Sequence, residues 1–421
     1  MRPIFVTVAI GLSLSDSLPA RAGEAKTPTI EELLSRMIRA SRTLNMRGTQ
    51  IILNTRPHMP TRPLVIRVVR RRDGKSLARV VEPAASKGAA AYDDGQWIYR
   101  YDPAQQRVYI TRSLPAPTDE QAIRRRVRII KRNYMVNIIG TEYIAGRLCY
   151  ALRLEPRNKI DYPLTVWLDA KNGAVLWRQE SDRAGNTLGL LMYTSVEFPT
   201  HIADSELHLS LPTRTRKIIV SRSPALRSIE SLRRYAGFDI TLPISMPCEY
   251  EFENGEVVMV GGCRTVCLRY TNGITRLTIY QAPVVIQRAE SSLFIRSWQL
   301  PLGEGVVNRR YGPMNYLVVG HCDLQGLLHV AIALDRRRAH AHLNELARTF
   351  RVPSGILANM RNHGMSLDAI AALLDIHSQT GRSLEGLFRL YQEGWSWSSM
   401  ARQFRADLTR VTRRAQSMGE R

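Results

Sequence analysis

Long apolar runs are missing from this sequence. The mostly apolar stretch near its start, Pro3–Ser15, is too short to hold a chain across a bilayer as a permanent anchor. An apolar fraction of 44% excludes both a polytopic membrane protein and a disordered chain. Cysteine is scarce, and its odd count of five rules out a complete intramolecular disulfide framework. Cys263 and Cys267 would stand about 13 Å apart along a strand, beyond bridging distance. If Asn254-Gly255 turns a hairpin, Cys263 becomes the nearest partner of Cys248, and a bridge there and free thiols are equally expected. Catalytic signatures are missing too: there is no phosphate-cradling glycine motif, zinc-type CxxC pair, HExxH or nucleophile elbow. His340 and His342 near Glu345 are a weak metal signal, and His321-Cys322-Asp323 reads better as a helix-capping turn than as a triad. No acid, base, nucleophile, metal or cofactor site is nominated.

Acidic residues are also under-represented. Against 60 Lys and Arg stand 37 Asp and Glu, a net charge of +23, which calls for a polyanionic partner or environment. Residues 1–22 select which one. Met1-Arg2 is a basic start, Pro3–Ser15 is apolar, and Ala20-Arg21-Ala22 offers small residues at both positions read by a signal peptidase. A cleaved secretory signal is therefore expected, with lipopolysaccharide, anionic lipid or cell-wall polymer as the accessible polyanions rather than nucleic acid.

From residue 28 the pattern is a helix followed by a meander. Thr29 with Glu32 makes a capping-box start for a helix over Ile30–Leu44, whose apolar residues recur at helical spacing. Short strands follow, divided by Asp73-Gly74, Asp93-Asp94-Gly95, Asp102-Pro103, Ala145-Gly146 and Asn172-Gly173. Some ten strands with sequence-local neighbours predict a curved antiparallel half-barrel or barrel, with the helix laid across it. Pro115–Lys131 interrupts the strands as a charged helical crossover. Residues 199–232 read as a linker, 233–334 as a smaller α+β domain, and 339–421 as an all-α C-terminal module. In the last, Gly364, Gly381 and Gly394 each close a helix, with Ser366, Ser383 and Ser396 placed to cap the next. The fold class is α+β.

Two residue sets carry binding chemistry. Alternation puts Trp97, Tyr99 and Tyr101 on one strand face, and Trp167 and Trp177 lie near the Asn172-Gly173 turn. These aromatics either fill the core or line a lipid-accepting concavity between helix and sheet. Arg67, Arg70, Arg71 and Arg72, with Arg124, Arg125, Arg126 and Arg128, are either solvated faces or an anion-binding rim.

Asn133-Tyr134 through Gly140-Thr141, Ile144-Ala145-Gly146-Arg147, Leu154-Glu155-Pro156 and Trp167-Leu168-Asp169 with Asn172-Gly173 resemble the N-terminal domain of the MucB/RseB periplasmic regulators. That domain shares its fold with the LolA/LolB lipoprotein carriers, so the resemblance implies a LolA-like domain over 28–198. Gly237-Phe238, Tyr270-Thr271-Asn272-Gly273-Ile274 and Tyr316-Leu317-Val318-Val319-Gly320 resemble the family's small C-terminal domain; nothing comparable covers the tail. The resemblance implies a non-catalytic periplasmic protein that binds the periplasmic segment of a membrane-anchored anti-sigma factor and shields it from proteolysis. Acyl-chain or lipopolysaccharide ligands would loosen that hold, with peripheral contact to anionic membrane. A LolA-type lipid or lipoprotein carrier is the alternative.

Overall fold

The computed structural model describes residues 28–55, 63–113, 119–246, 249–260, 262–284, 305–334 and 336–420. The expected signal segment and Cys248 lie outside the described residues.

The first helix, α1 (Ile30–Thr43), begins where the capping box places it. Thr29 Oγ1 accepts from the Glu32 amide at 3.2 Å, and Glu32 accepts from the Thr29 amide at 2.8 Å. Twelve strands follow: β1 (Met46–Asn54), β2 (Leu64–Arg70), β3 (Ser76–Glu82), β4 (Ala90–Asp93), β5 (Trp97–Asp102), β6 (Arg107–Arg112), β7 (Tyr134–Ile144), β8 (Arg147–Pro156), β9 (Leu164–Asp169), β10 (Val175–Ser181), β11 (Thr187–Glu197) and β12 (Arg216–Ile219). They form one sheet in the order β12-β6-β5-β4-β3-β2-β1-β11-β10-β9-β8-β7. The sheet is curved and open, ending at β12 and β7, so the half-barrel holds and the closed barrel does not. The helix α2 (Glu120–Asn133) joins β6 to β7, capped by Asp119, whose Oδ1 accepts from the Ala122 amide at 2.7 Å.

Residues 199–232, expected as a linker, supply β12, which pairs with β6 in parallel and departs from the otherwise antiparallel ladder. Beyond β12 the same segment reaches the second sheet. The Val220 amide donates to Ile110 at 2.8 Å, and the Val220 carbonyl accepts from the Met259 amide at 2.8 Å. Val220 is buried there with Tyr109, Val258 and Val260.

After α3 (Ile229–Ala236), the second domain is a five-stranded sheet. Its strands β13 (Glu251–Val260), β14 (Cys263–Thr271), β15 (Arg276–Pro283), β16 (Gly305–Tyr311) and β17 (Met314–Gly320) run in the order β13-β14-β15-β17-β16. The helix α4 (Leu324–Ile332) follows, with Asp323 Oδ1 accepting from the Gly326 amide at 2.8 Å, the capping role expected for it. Asn254-Gly255 is not a turn, which corrects the sequence reading. Both residues sit inside β13, at a register shift between Phe252 and Asn254. Gly255 is there for proximity: a Cβ on it would stand 2.7 Å from Leu232 Cδ2 of α3. The hairpin opens at Cys263 paired with Val260, and Cys263 is a free thiol.

The tail is helical: α5 (Arg336–Phe350), α6 (Ser354–Asn362), α7 (Leu367–Thr380), α8 (Leu384–Gln392), α9 (Trp397–Gln403) and α10 (Leu408–Glu420). Buried α7 is its centre, with the other helices packed around it. Gly364, Gly381 and Gly394 all adopt positive φ. Ser383 and Ser396 cap as expected; Ser366 holds the N-cap position without a side-chain bond. The bundle is docked rather than tethered. The Leu367 amide donates to Ile244 at 2.6 Å, and Arg361 donates to the carbonyls of Leu242 (3.0 Å) and Pro243 (2.8 Å).

Candidate binding site

The concavity expected between α1 and the sheet is filled where the helix lies. Leu33, Leu34 and Ile38 of α1 and Ile123, Val127 and Ile130 of α2 pack on Val136, Leu152, Leu154, Leu164, Val166 and Leu168 of β7–β9. This is a contiguous layer of buried apolar side chains. The Asn172-Gly173 turn is pressed under it: Gly173 has φ +77°, and a Cβ there would lie 2.8 Å from the carbonyl carbon of Arg36.

The five candidate aromatics lie on the other face. Val166 and Leu168 point at α1, so Trp167 between them points away, stacked on Trp177 with ring centroids 3.9 Å apart. Its Nε1–H donates to Glu142 at 2.8 Å. Tyr99 pairs with Tyr92, Tyr92 with Leu77 and Leu77 with Val69, and that row is covered by Ile202, Leu207 and Leu209. Arg70, one residue on from Val69, turns the opposite way and donates to the Ala40 carbonyl of α1 at 3.3 Å. Tyr99, with Trp97 and Tyr101 beside it, is thus on the side away from the helix. Trp97 is stacked under Arg112, 4.0 Å from its ring centroid. Alternation grouped these rings correctly, but it does not say which face a distant helix covers. The half-buried apolar residues that share the helix-side face beyond α1 include Val68, Val80 and Ile98, which the sequence reading passed over.

The arginine runs are mostly engaged inside the molecule. Arg70 is largely buried at the C-terminal turn of α1, and its guanidinium is destabilised by desolvation. Arg71 pairs with Asp73 at 2.8 Å and Asp204 at 2.6 Å. Arg67 and Arg72 are exposed. On α2, Arg126 Nε donates to the Gly273 carbonyl at 2.9 Å, Arg128 Nε to the Glu393 carbonyl at 2.8 Å, and Arg125 to the Gln392 carbonyl at 2.5 Å. Of that run, Arg124 remains exposed, beside a shallow cleft lined by Gln121, Arg124, Arg128 and Glu393. Arg125, Arg126 and Arg128 therefore join domains, and the second domain and the tail cover part of the face of α2 that a single-domain reading leaves in water.

That covered face is the junction of all three units. Arg132 and Arg125 both pair with Glu251 of β13, and Arg132 also lies 3.0 Å from Glu249. Tyr391 of α8 closes the site, its ring centroid 5.9 Å from the Arg132 guanidinium. Burial pushes the Glu249 carboxyl up to about 7 despite the pull of Arg132. Nearby, a buried network crosses the same boundary. Asn272 Nδ2 reaches Tyr134 (2.8 Å), Asp161 (3.0 Å) and Tyr250 (3.1 Å), while the Tyr250 hydroxyl donates to Asp161 at 3.1 Å. Burial raises the Asp161 pKa against these hydrogen bonds. Backbones approach closely too: Gly273 has φ +95°, and a Cβ on it would stand 2.9 Å from the Ile130 amide nitrogen. Tyr134, Asp161, Tyr250 and Asn272 are sequence-distant polar residues with no shared motif, so only the family resemblance at Asn133-Tyr134 and Tyr270–Ile274 flagged their neighbourhood. Among the described residues no group of His, Cys, Asp and Glu is arranged to hold a metal.

No curated protein matches the chain. Its fold is similar to a crystal structure of MucB, at 16% identity over 72% of this chain and 95% of that one, with a TM-score of 0.49. The Pseudomonas aeruginosa MucA/MucB complex matches at 15% identity over 72% and 96%, TM-score 0.47. A LolA superfamily protein from Nitrosomonas europaea matches at 13% over 43% and 98%, TM-score 0.23. The family model of the MucB/RseB N-terminal domain matches residues 29–211, from the cap of α1 to just short of β12. The MucB/RseB N-terminal domain model thus spans the curved sheet with its two helices, on a chain that adds a small α+β domain and a docked helical tail.

Proposed function

We propose that this chain is an exported, non-catalytic regulator that grips the periplasmic segment of a membrane-anchored anti-sigma factor and shields it from the protease that starts an envelope-stress response. The observation that carries the reading is the MucB/RseB domain over residues 29–211. Members of that family act by holding such a segment, and the MucA/MucB complex is one example by name. The junction supports it physically. A regulator that presents one composite surface needs its domains held in register, and α2 does this through Arg125, Arg126, Arg128 and Arg132. Lipid sensing, the finer part of the proposal, moves from the aromatics to the helix-side surface around Val68, Val80 and Ile98, where Arg70 is the neighbouring cation. Directly under α1 the face is occupied by apolar side chains, which supports the regulator over a LolA-type carrier.

The test is reconstitution. The mature chain is mixed with the periplasmic segment of a single-span membrane protein encoded beside it, and cleavage of that segment by the site-1 envelope protease is followed. Protection that falls on adding lipopolysaccharide or phospholipid supports both parts of the reading. Unprotected cleavage overturns the regulator, and phospholipid that co-purifies without any protein partner favours the carrier.

A further inference from the structure

Sheet edges carry unpaired backbone N–H and C=O groups, and proteins blunt them with charge, shortness or cover. Most edges here are blunted. β12 is four residues long and begins Arg216-Lys217. β13 is bridged along its outer side through Ser221 and Leu226. β16 exposes Asn308, Arg309 and Arg310. β7 is different: it is 11 residues long, bonded on one side by β8, and no described strand covers its other side. It has no Lys, Arg or Pro, and its one charged residue, Glu142, is taken by Trp167. Residues 139–143 are exposed in succession. Among the described residues nine large apolar side chains are exposed, and four of them gather here: Met135 (51%), Ile139 (58%), Tyr143 (72%) and, across the hairpin, Leu148 (42%). A register shift at Ile138/Gly140 divides the strand, leaving Gly140–Ile144 as the straight stretch.

We infer that the outer edge of β7 is a docking site for an acidic, extended segment of a partner polypeptide, which adds to the sheet as a further strand. The open backbone specifies an extended chain, because only a strand satisfies both its donors and its acceptors. Charge specifies the sign. Exposed Arg157 flanks the Tyr134 end of β7, its amide donating to Asn133 at 2.9 Å. Exposed Lys171 stands by the Leu148 end, where the Ala170 amide donates to Leu148 at 2.9 Å. A second copy of a chain carrying +23 is repelled from this edge, whereas an acidic segment is attracted. The inference deepens the partner-binding reading above and rests on it for the kind of partner.

The full-length mature chain is titrated with a labelled peptide of alternating Val and Glu, 11 residues long like β7, and with a Gly/Glu peptide of equal length and charge. The Val/Glu peptide is expected to bind about tenfold more tightly, since strand addition needs β-forming residues as well as charge. Amide exchange should slow over 139–144. The triple variant Met135→Ala, Ile139→Ala, Tyr143→Ala removes exposed side chains only, so it should keep the thermal midpoint yet weaken Val/Glu binding about tenfold. Equal affinity for the two peptides means charge alone and overturns the inference. A concentration-dependent dimer lost in the variant assigns the edge to a second copy; loss of binding to anionic vesicles without peptide discrimination assigns it to a membrane. Either overturns the stated occupant. If the anti-sigma segment binds but β7 exchanges as fast as before, the edge site falls while the partner reading stands.

Discussion

Replacing Arg132 by Met should uncouple the three units in a pH-dependent way. The Arg132 side chain is 4% exposed and Glu251 is 3% exposed, so the pair lies out of water and is little screened. Met fills much of the same volume but leaves Glu249 with only the weaker pull of Arg402 and Glu251 with Arg125 alone. Breaking a buried pair from one side costs about 3–5 kcal/mol, because a desolvated charge is stranded. The sign with pH follows from Glu249. Its folded carboxyl titrates at about 7, above its ordinary 4.5, because burial disfavours the charge. The folded state thus holds the extra proton between those values, and wild-type stability gains from this group as pH falls through 7. In R132M the carboxyl loses the stronger of its two favourable cations and keeps only the weaker pull of Arg402, so its pKa moves higher and protonation relieves more of the defect. Urea unfolding should therefore show the full deficit at pH 8 and a much smaller one at pH 5.5, with exchange at 249–251 and 391–393 accelerating at pH 8. A variant as stable as wild type at pH 8, or a deficit equal at both pH values, would refute the coupling.

Gly273→Ala puts a Cβ at φ +95° against the Ile130 backbone, and should cost at least about 1–3 kcal/mol as a drop in thermal midpoint. Arg124→Ser should leave stability within about 0.5 kcal/mol, while Arg126→Ser, which removes the bond to Gly273, should speed proteolysis between the sheet and the second domain. Leu168→Ala, in the layer under α1, should cost about 2–5 kcal/mol in chemical unfolding. Asp368 is pushed up to about 6 by burial, so its contribution to stability grows as pH falls through 6. Asp368→Asn should flatten the rise in thermal midpoint between pH 7 and pH 5, and an unchanged rise would assign it to Glu249 instead.

Local chemistry was legible in the sequence. The Thr29–Glu32 capping box, the Ala145-Gly146 and Asn172-Gly173 turns, the Asp323 cap and the glycines of the tail are decided within a few residues, and each sits where its side chain dictates. What depended on distant chain was not legible. Asn254-Gly255 reads as a turn because glycine tolerates positive φ, yet Gly255 serves to admit Leu232 of α3. Trp97 and Trp167 alternate correctly, but the face covered by α1 is set by residues more than fifty positions away. The arginines of α2 look solvated because nothing in their own helix reveals that β13 and α8 will cover them.

Those contacts change how the net charge of +23 is understood. The surplus invites a cationic rim, yet much of the densest run meets backbone carbonyls, those of Gly273, Gln392 and Glu393, and of these three arginines Arg125 also meets a carboxylate, that of Glu251. Guanidinium groups suit this because their rigid forks donate to several acceptors at once. A charge bonded to carbonyls is not neutralised, so Arg126 and Arg128 keep a positive potential on α2 that attracts acidic chains, whereas Arg125 and Arg132 are offset by Glu249 and Glu251. Steering and gripping are then separate tasks. The potential belongs to α2 and its surroundings, whereas the unprotected backbone and exposed apolar groups belong to β7, which α2 leads into at Tyr134. Salt should accordingly slow association with an acidic partner more than it speeds dissociation, since dissociation depends on the strand contacts. Stopped-flow measurements from about 50 to 300 mM salt would show this, and an equal effect on both rates would place the grip in the charges after all.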